Sequence, residues 1–255
     1  MSPQNLFFAF LSILLFARTN ESFSQDCIPF FGQNAPQDTS AIFAPPAIQA
    51  NSQWFWHGTP TFSPDGNEMY FVKYLTEINK TRIWFSVCQN GVWSEPQQAP
   101  FSSQTASDNN PRFGQSADTL YFLSQRPQSR IYRVVRTNGG AWSNPVALSL
   151  VIPGGKQLGL QFSMSQNGNI YSELSNNDGS NSEIYCWKKT NASYQIPILI
   201  SGINSTGFDG FPTIDAYERF ILFSSDRNPV NDNFDIYISF RSPDNIWSEP
   251  INLSQ

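Results

Sequence analysis

His57 is the only histidine in 255 residues, so any Ser-His-Asp triad or His-based metal centre would hang on that one side chain. It stands in Gln53-Trp54-Phe55-Trp56-His57-Gly58. Trp54 and Trp56 beside it offer flat aromatic faces that stack on sugar rings or peptide side chains. Three further segments carry polar groups suited to a ligand: Asp108-Asn109-Asn110, Lys156-Gln157 and Asp209-Gly210. Together these residues would bind a polar ligand through hydrogen bonds, although Asp, Asn and Gly are also ordinary turn residues. No Gly-x-Ser-x-Gly elbow, His-Glu-x-x-His pair or Walker loop occurs. Asn231-Asp232-Asn233-Phe234-Asp235 is rich in oxygen ligands but lacks the glycine and terminal glutamate of an EF-hand loop. Ser63-Pro64-Asp65-Gly66 has the look of a sialidase Asp-box turn. Such a site also needs a tyrosine nucleophile and an arginine cluster, and Arg112, Arg126 and Arg130 all sit in one segment. No catalytic residue, metal ligand or cofactor is therefore expected.

Composition narrows the class. Fifteen Lys and Arg against twenty Asp and Glu leave a net charge of −5, which argues against a nucleic-acid partner. Aromatic residues make up 15% of the chain, enough to build a core from rings although the hydrophobic fraction is only 40%. Eighteen prolines and fifteen glycines suit many turns and few long helices.

The residues that must position these groups recur with a period of about fifty. Thr59-Pro60-Thr61-Phe62-Ser63-Pro64-Asp65-Gly66 leads to Met69-Tyr70-Phe71. It returns as Asn110-Pro111-Arg112-Phe113 with Leu120-Tyr121-Phe122, and as Phe211-Pro212-Thr213-Ile214 with Ile221-Leu222-Phe223. A looser copy runs Leu160-Gln161-Phe162-Ser163 to Ile170-Tyr171. A charged residue, an isoleucine and an aromatic follow each time: Arg82-Ile83-Trp84, Arg130-Ile131-Tyr132, Glu183-Ile184-Tyr185 and Asp235-Ile236-Tyr237. Trp93, Trp142, Tyr194 and Trp247 close the units, each shortly before a proline. Short β-branched and aromatic runs, separated by Asp-Gly and Asn-Gly pairs, read as strands and hairpins. No helical period is visible beyond the N-terminal segment. The expectation is an all-β protein, a β-propeller of four-stranded antiparallel blades with units at about 59–98, 110–148, 159–200 and 211–253. Ile42–Ile48 reads as a lone outer strand within an N-terminal segment, 25–58. That strand suggests a five-bladed plan with an incomplete last blade; the alternative is a four-bladed ring with the strand packed outside. The loops entering the first strands would then converge on one mouth of the channel, bringing Trp54, Trp56, His57, Asp108, Asn109, Asn110, Lys156 and Asp209 together.

The Pro60 to Phe71 element, with Asp235-Ile236-Tyr237 and Trp247-Ser248-Glu249-Pro250, resembles the TolB-like, WD-repeat-like β-propeller family. It is similar to the secreted members found in Bacteroidetes-type bacteria, over about 27–255. The resemblance implies binding and scaffolding in the cell envelope, without known chemistry for most members.

Leu6–Ala17 forms a twelve-residue run of mostly apolar residues, too short to span a bilayer and suited to the core of a signal peptide. Ser22 and Ser24 fit a cleavage site before Gln25, giving a 1–24 leader. Cys27 raises lipoprotein processing as the competing reading, against which Gln25-Asp26 speak. Cys88 and Cys186 read as buried, inert thiols. The combined expectation is an exported, non-catalytic propeller, periplasmic, extracellular or at the cell surface, with no membrane span after cleavage. Its partner would be an envelope protein or a glycan. The alternatives are a sialidase-like glycan hydrolase and a purely structural fragment.

Overall fold

The computed structural model describes residues 54–228 and 234–253. They build four antiparallel four-stranded sheets in series, a four-bladed β-propeller. The first blade holds β1 (Trp54–Phe62), β2 (Glu68–Leu75), β3 (Lys80–Gln89) and β4 (Gln97–Gln98). The second holds β5 (Asp108–Phe113), β6 (Thr119–Ser124), β7 (Arg130–Val135) and β8 (Val146–Ala147). The third holds β9 (Lys156–Met164), β10 (Ile170–Asn176), β11 (Ser182–Trp187) and β12 (Ile198–Leu199). The fourth holds β13 (Asp209–Ile214), β14 (Phe220–Ser225), β15 (Asp235–Phe240) and β16 (Ile251–Asn252). The outermost strand of each blade has only two residues, because the closing aromatic first folds back in a small hairpin or bridge such as Val92–Trp93 on β3. Ser63-Pro64-Asp65-Gly66 is the β1–β2 hairpin: Gly66 donates its N–H to the Ser63 carbonyl at φ +76°, and Asp65 accepts from the Ser63 hydroxyl and the Asn67 N–H. Gly can hold that positive φ without steric cost.

Side chains alternate across each strand, so every blade has two faces. Both are apolar. On the second strand Tyr70, Tyr121, Tyr171 and Leu222 point forward, toward the next blade, and Phe71, Phe122 and Phe223 point back. The first seam stacks Tyr70 and Phe85 against Phe101, Phe122 and Tyr132, with ring centroids 5.2–6.1 Å apart. The second joins Tyr121, Leu123 and Ile131 to Leu158, Phe162, Ile170 and Trp187. The third joins Tyr171, Ile184 and Cys186 to Ile214, Ile221, Phe223 and Tyr237. Behind the first blade, Met69 and Phe71 are fully buried against Phe62, Trp84 and Trp93.

The repeated isoleucine on the third strand measures how well each forward face is covered. Ile83, Ile131 and Ile184 are 0%, 1% and 0% exposed, whereas Ile236 is 53% exposed. Ile236 shares its face with Phe220, Leu222 and Phe240, all half-buried, and with Ile238, which is buried. Among the described residues no apolar cluster joins this face to another blade.

Two cysteine readings separate. Cys186 is a free, buried thiol whose pKa burial raises to about 11, so it is inert as expected. Cys88 is not a thiol; it is disulfide-bonded, and Cys27, the third cysteine of the sequence, lies outside the described residues. A buried position in an apolar strand is equally compatible with either state, so burial alone could not distinguish them. The strand expected at Ile42–Ile48 and most of the oxygen-rich loop at 231–235 also lie outside the described residues.

Two substitutions at equivalent positions compare a buried with an exposed isoleucine. Ile184→Ala should cost about 2–5 kcal/mol by leaving a cavity in the third seam. Ile236→Ala should change stability by less than about 0.5 kcal/mol. Urea unfolding of both variants checks the contrast, and equal losses would mean that the fourth forward face is covered.

Candidate functional site

The inner strands β1, β5, β9 and β13 each break register near the middle. At three of the breaks a non-glycine residue adopts positive φ immediately before a proline: Thr59 at 48°, Asn110 at 50° and Phe211 at 52°. Such conformations cost energy and persist only where their surroundings enforce them. For Phe211 the enforcement is visible. Its N–H donates to Glu173 Oε2 (3.3 Å), while Leu160 and Gln161 donate theirs to Oε1 at 2.7 and 3.0 Å. Glu173 lies on β10 and is almost fully buried, so one carboxylate fastens the irregular backbone of two neighbouring inner strands. Gly159 and Gly210 leave room for it: a Cβ on Gly159 would lie 2.3 Å from Glu173 Cγ. Burial drives the Glu173 carboxyl above its ordinary 4.5, in spite of the three N–H donors.

The second inner strand has unused hydrogen-bonding capacity. Asn110 is fully buried and donates through Nδ2 to the Phe162 carbonyl of the third blade (3.0 Å), while its Oδ1 has no partner. Thr59 Oγ1 at the equivalent position of the first blade is likewise buried and unpartnered, as is Arg112 Nε on β5. Burial lowers the Arg112 pKa. Buried polar atoms are normally satisfied, so these three set the inner strands of the first two blades apart.

Asp108 and Asp209 hold the same repeat position but are turned into different seams. Asp108 Oδ2 accepts from Arg126 Nη2 (2.6 Å), the Ser103 N–H (2.5 Å) and the Ser102 hydroxyl (3.0 Å). Asp209 accepts from Arg227 Nη2 (2.5 Å) and from the Ser205 hydroxyl (2.8 Å) and N–H. Each arginine also reaches a carbonyl of the inter-blade link, Phe101 or Ile203, and lies over the paired rings Phe122 and Tyr132, or Phe223 and Tyr237, at 4.9–5.7 Å. The carboxylates thus clamp links to blades instead of meeting at one mouth. Sequence reasoning missed Arg126 and Arg227, although the signal was present as Ser124-Gln125-Arg126 and Ser225-Asp226-Arg227, paired with Asp108 and Asp209. In the third blade Leu158 stands at the aspartate position, and the second seam is apolar there.

Lys156 is held by Glu183 on β11, Nζ to Oε2 at 2.7 Å. Asn109 is half-buried on β5 opposite Leu123. Trp54, Trp56 and His57 lie on β1, facing Leu75, Tyr74 and Lys73 in the β1–β2 register, and their side chains are outside the described residues. Among the described residues no group of three or more His, Cys, Asp or Glu side chains could hold a metal ion.

Comparison with known proteins supports the architecture. No family model matches the sequence, and no curated protein matches it. Among solved structures, TolB from Acinetobacter baumannii superposes with a TM-score of 0.50 at 16% identity, covering 78% of this chain and 43% of its own. Prolyl oligopeptidase B from Galerina marginata gives 0.52 at 15% identity, over 79% of this chain and 27% of its own. The catalytic domain of the Coprinopsis cinerea GH62 α-L-arabinofuranosidase gives 0.50 at 10% identity, over 79% and 70%. The fold is that of a TolB-like propeller. The chain spans less than half the length of that TolB and about a quarter of the oligopeptidase. At these identities the likeness concerns fold alone, and the same fold serves unrelated activities.

Glu173 yields a pH test. Its folded-state pKa is raised, so proton uptake favours the folded state: the associated stability is present below the ordinary 4.5 and is lost as pH rises through the folded value. Glu173→Gln should cost about 2 kcal/mol, because an amide cannot accept from three N–H groups with both its polar atoms. That deficit should be larger at pH 5 than at pH 8 in urea unfolding. A deficit that grows with pH would show that the carboxyl is lowered instead.

Proposed function

We propose that this protein is an exported, non-catalytic propeller that binds a protein partner through the forward face of its fourth blade. The observation that carries the reading is the 53% exposure of Ile236, against at most 1% for its three repeat equivalents. Those three faces are each covered by the back face of a following sheet, so the chemistry that suits the fourth is another apolar β-sheet surface. Phe220, Leu222, Ile236 and Phe240 offer carbon surface with few hydrogen-bonding groups, which favours a protein over a glycan. The resemblance of the repeat motifs to envelope propellers is in keeping with a scaffolding role.

Among the described residues the fully or nearly fully buried carboxylates of the inner region are bonded to structural partners. Glu173 receives three backbone N–H groups, Asp108 and Asp209 hold arginines, and Glu218 binds Arg241 and Asn169. Export is supported by the apolar Leu6–Ala17 run and by the disulfide at Cys88, a bond that persists in oxidising compartments. Among the described residues no helix is long and apolar enough to cross a membrane.

A photo-crosslinking residue at position 236, introduced in the cells that make the protein, should give one discrete adduct. The same residue at Val146, which is also exposed on the second blade, should not. Adduct mass tells a second copy from another protein. No adduct at 236, or the same adducts at both positions, would overturn the reading.

A further inference from the structure

A cavity of about 420 Å³ opens beside the first inter-blade link, lined by Lys80, Ser103, Thr105, Gln125 and Arg126 among others. Its charge is unbalanced. Arg82 lies behind it, 1% exposed, and its guanidinium donates to carbonyls: Thr81 (3.0 Å), Gln104 (2.8 Å) and Ala106 (2.7 Å). Arg126 is bonded to Asp108 and to the Phe101 carbonyl. Among the described residues Asp108 is the carboxylate that pairs within this group, through Arg126, and its charge also acts on Arg82.

The third seam is built with more carboxylates. Asp209 and Arg227 repeat the Asp108–Arg126 pair. At the strand position of Arg82, however, stands Glu183, and it is bonded to Lys156. Lys156 and Arg227 there are accompanied by Glu183, Asp209 and Asp226, whereas among the described residues Asp108 is the carboxylate bonded within the group of Lys80, Arg82 and Arg126. Buried or half-buried guanidinium groups without a counter-charge are costly. The local excess of positive charge occurs in a protein whose net charge is −5. The two arginines also differ at Nε: that of Arg126 is buried and unpartnered, while that of Arg227 donates to Ser225 Oγ at 2.9 Å.

We infer that this cavity is a binding site for an anionic small molecule whose carboxylate or phosphate group docks on Arg126 and Lys80. Ser103, Thr105 and Gln125 supply neutral hydrogen-bonding groups around the anion. The cleft is open to solvent, so it would hold the anionic end of a small molecule and leave the rest exposed. A sugar acid and a sugar phosphate share the required chemistry. The inference is independent of the partner surface on the fourth blade, since it uses different residues and a different seam.

Ligand-observed NMR and calorimetry on the purified protein test it, with glucuronate, glucose 6-phosphate, inorganic phosphate and neutral glucose as probes. At least one sugar anion should bind saturably and glucose should not. Affinity should fall as salt is raised from 0.05 to about 0.5 M, as expected for exposed charges. Lys80→Glu should weaken binding at least about tenfold, in line with reversing a contacting charge, while leaving the melting temperature nearly unchanged. Glucuronate without glucose 6-phosphate assigns the carboxylate source; the reverse assigns the phosphate. Glucose binding as well as the anions, inorganic phosphate binding alone, no saturable binding, or unchanged affinity in Lys80→Glu would each overturn the proposal. Thr105→Val, which removes a neutral donor without touching a charge, should weaken binding less than Lys80→Glu and supplies a second variant should the first disturb folding.

Discussion

Every sheet in this chain is apolar on both faces, and that constraint organises the rest. A four-stranded blade with Tyr70, Val72 and Ile83 on one side and Met69 and Phe71 on the other cannot be stable alone in water. It must be sandwiched, and the repeat supplies the sandwich: the back face of one blade is the lid on the forward face of the one before. Stability is therefore mostly a property of seams, each built from aromatic and aliphatic residues of two blades and the link between them.

Apolar burial does not say at which angle or depth one blade sits on the next. Polar devices do that, and each seam has its own. In the first and third, a buried aspartate and an arginine tie the link to the inner strand, the guanidinium lying over two rings of the same blade. The second seam replaces the aspartate by Leu158 and relies on packing, including Trp187, whose Nε1 donates to the Val151 carbonyl of the link. Glu173 adds a further fastener to the third seam by collecting the N–H groups that the inner-strand irregularities leave without ladder partners. A single repeat thus carries one apolar plan and several polar solutions.

This division explains what was legible in the sequence. Ile83, Ile131, Ile184 and Ile236, spaced by about fifty residues, marked the third strand of every blade, and Asp65-Gly66 marked a hairpin, because strand alternation and turn chemistry are local. Asp108 and Asp209 were visible as special residues but not as clamps. Their partners, Arg126 and Arg227, are eighteen positions away and meet them only once a hairpin is folded. Glu173 gave no signal at all. It sits where Leu123 and Val72 stand in other blades, and its role depends on backbone irregularities in two other strands. The pairing state of Cys88 was hidden for a similar reason, since burial in a strand suits a thiol and a disulfide alike.

A repeat architecture also tells where function is to be sought, because the repeats act as internal controls for one another. A feature shared by all blades answers to the fold; a feature in one blade alone needs another cause. Ile236 is exposed where three equivalents are buried, and Arg82 is a buried cation where the third seam has a carboxylate. Neither departure improves the blade that contains it. Uncovered apolar surface is a liability in water, and unbalanced charge next to a buried guanidinium is a cost in any medium of low polarity. Both costs vanish when something outside the described chain is bound, apolar in the first case and anionic in the second. The two departures involve different residues, Ile236 on the fourth blade and Arg82 on the first.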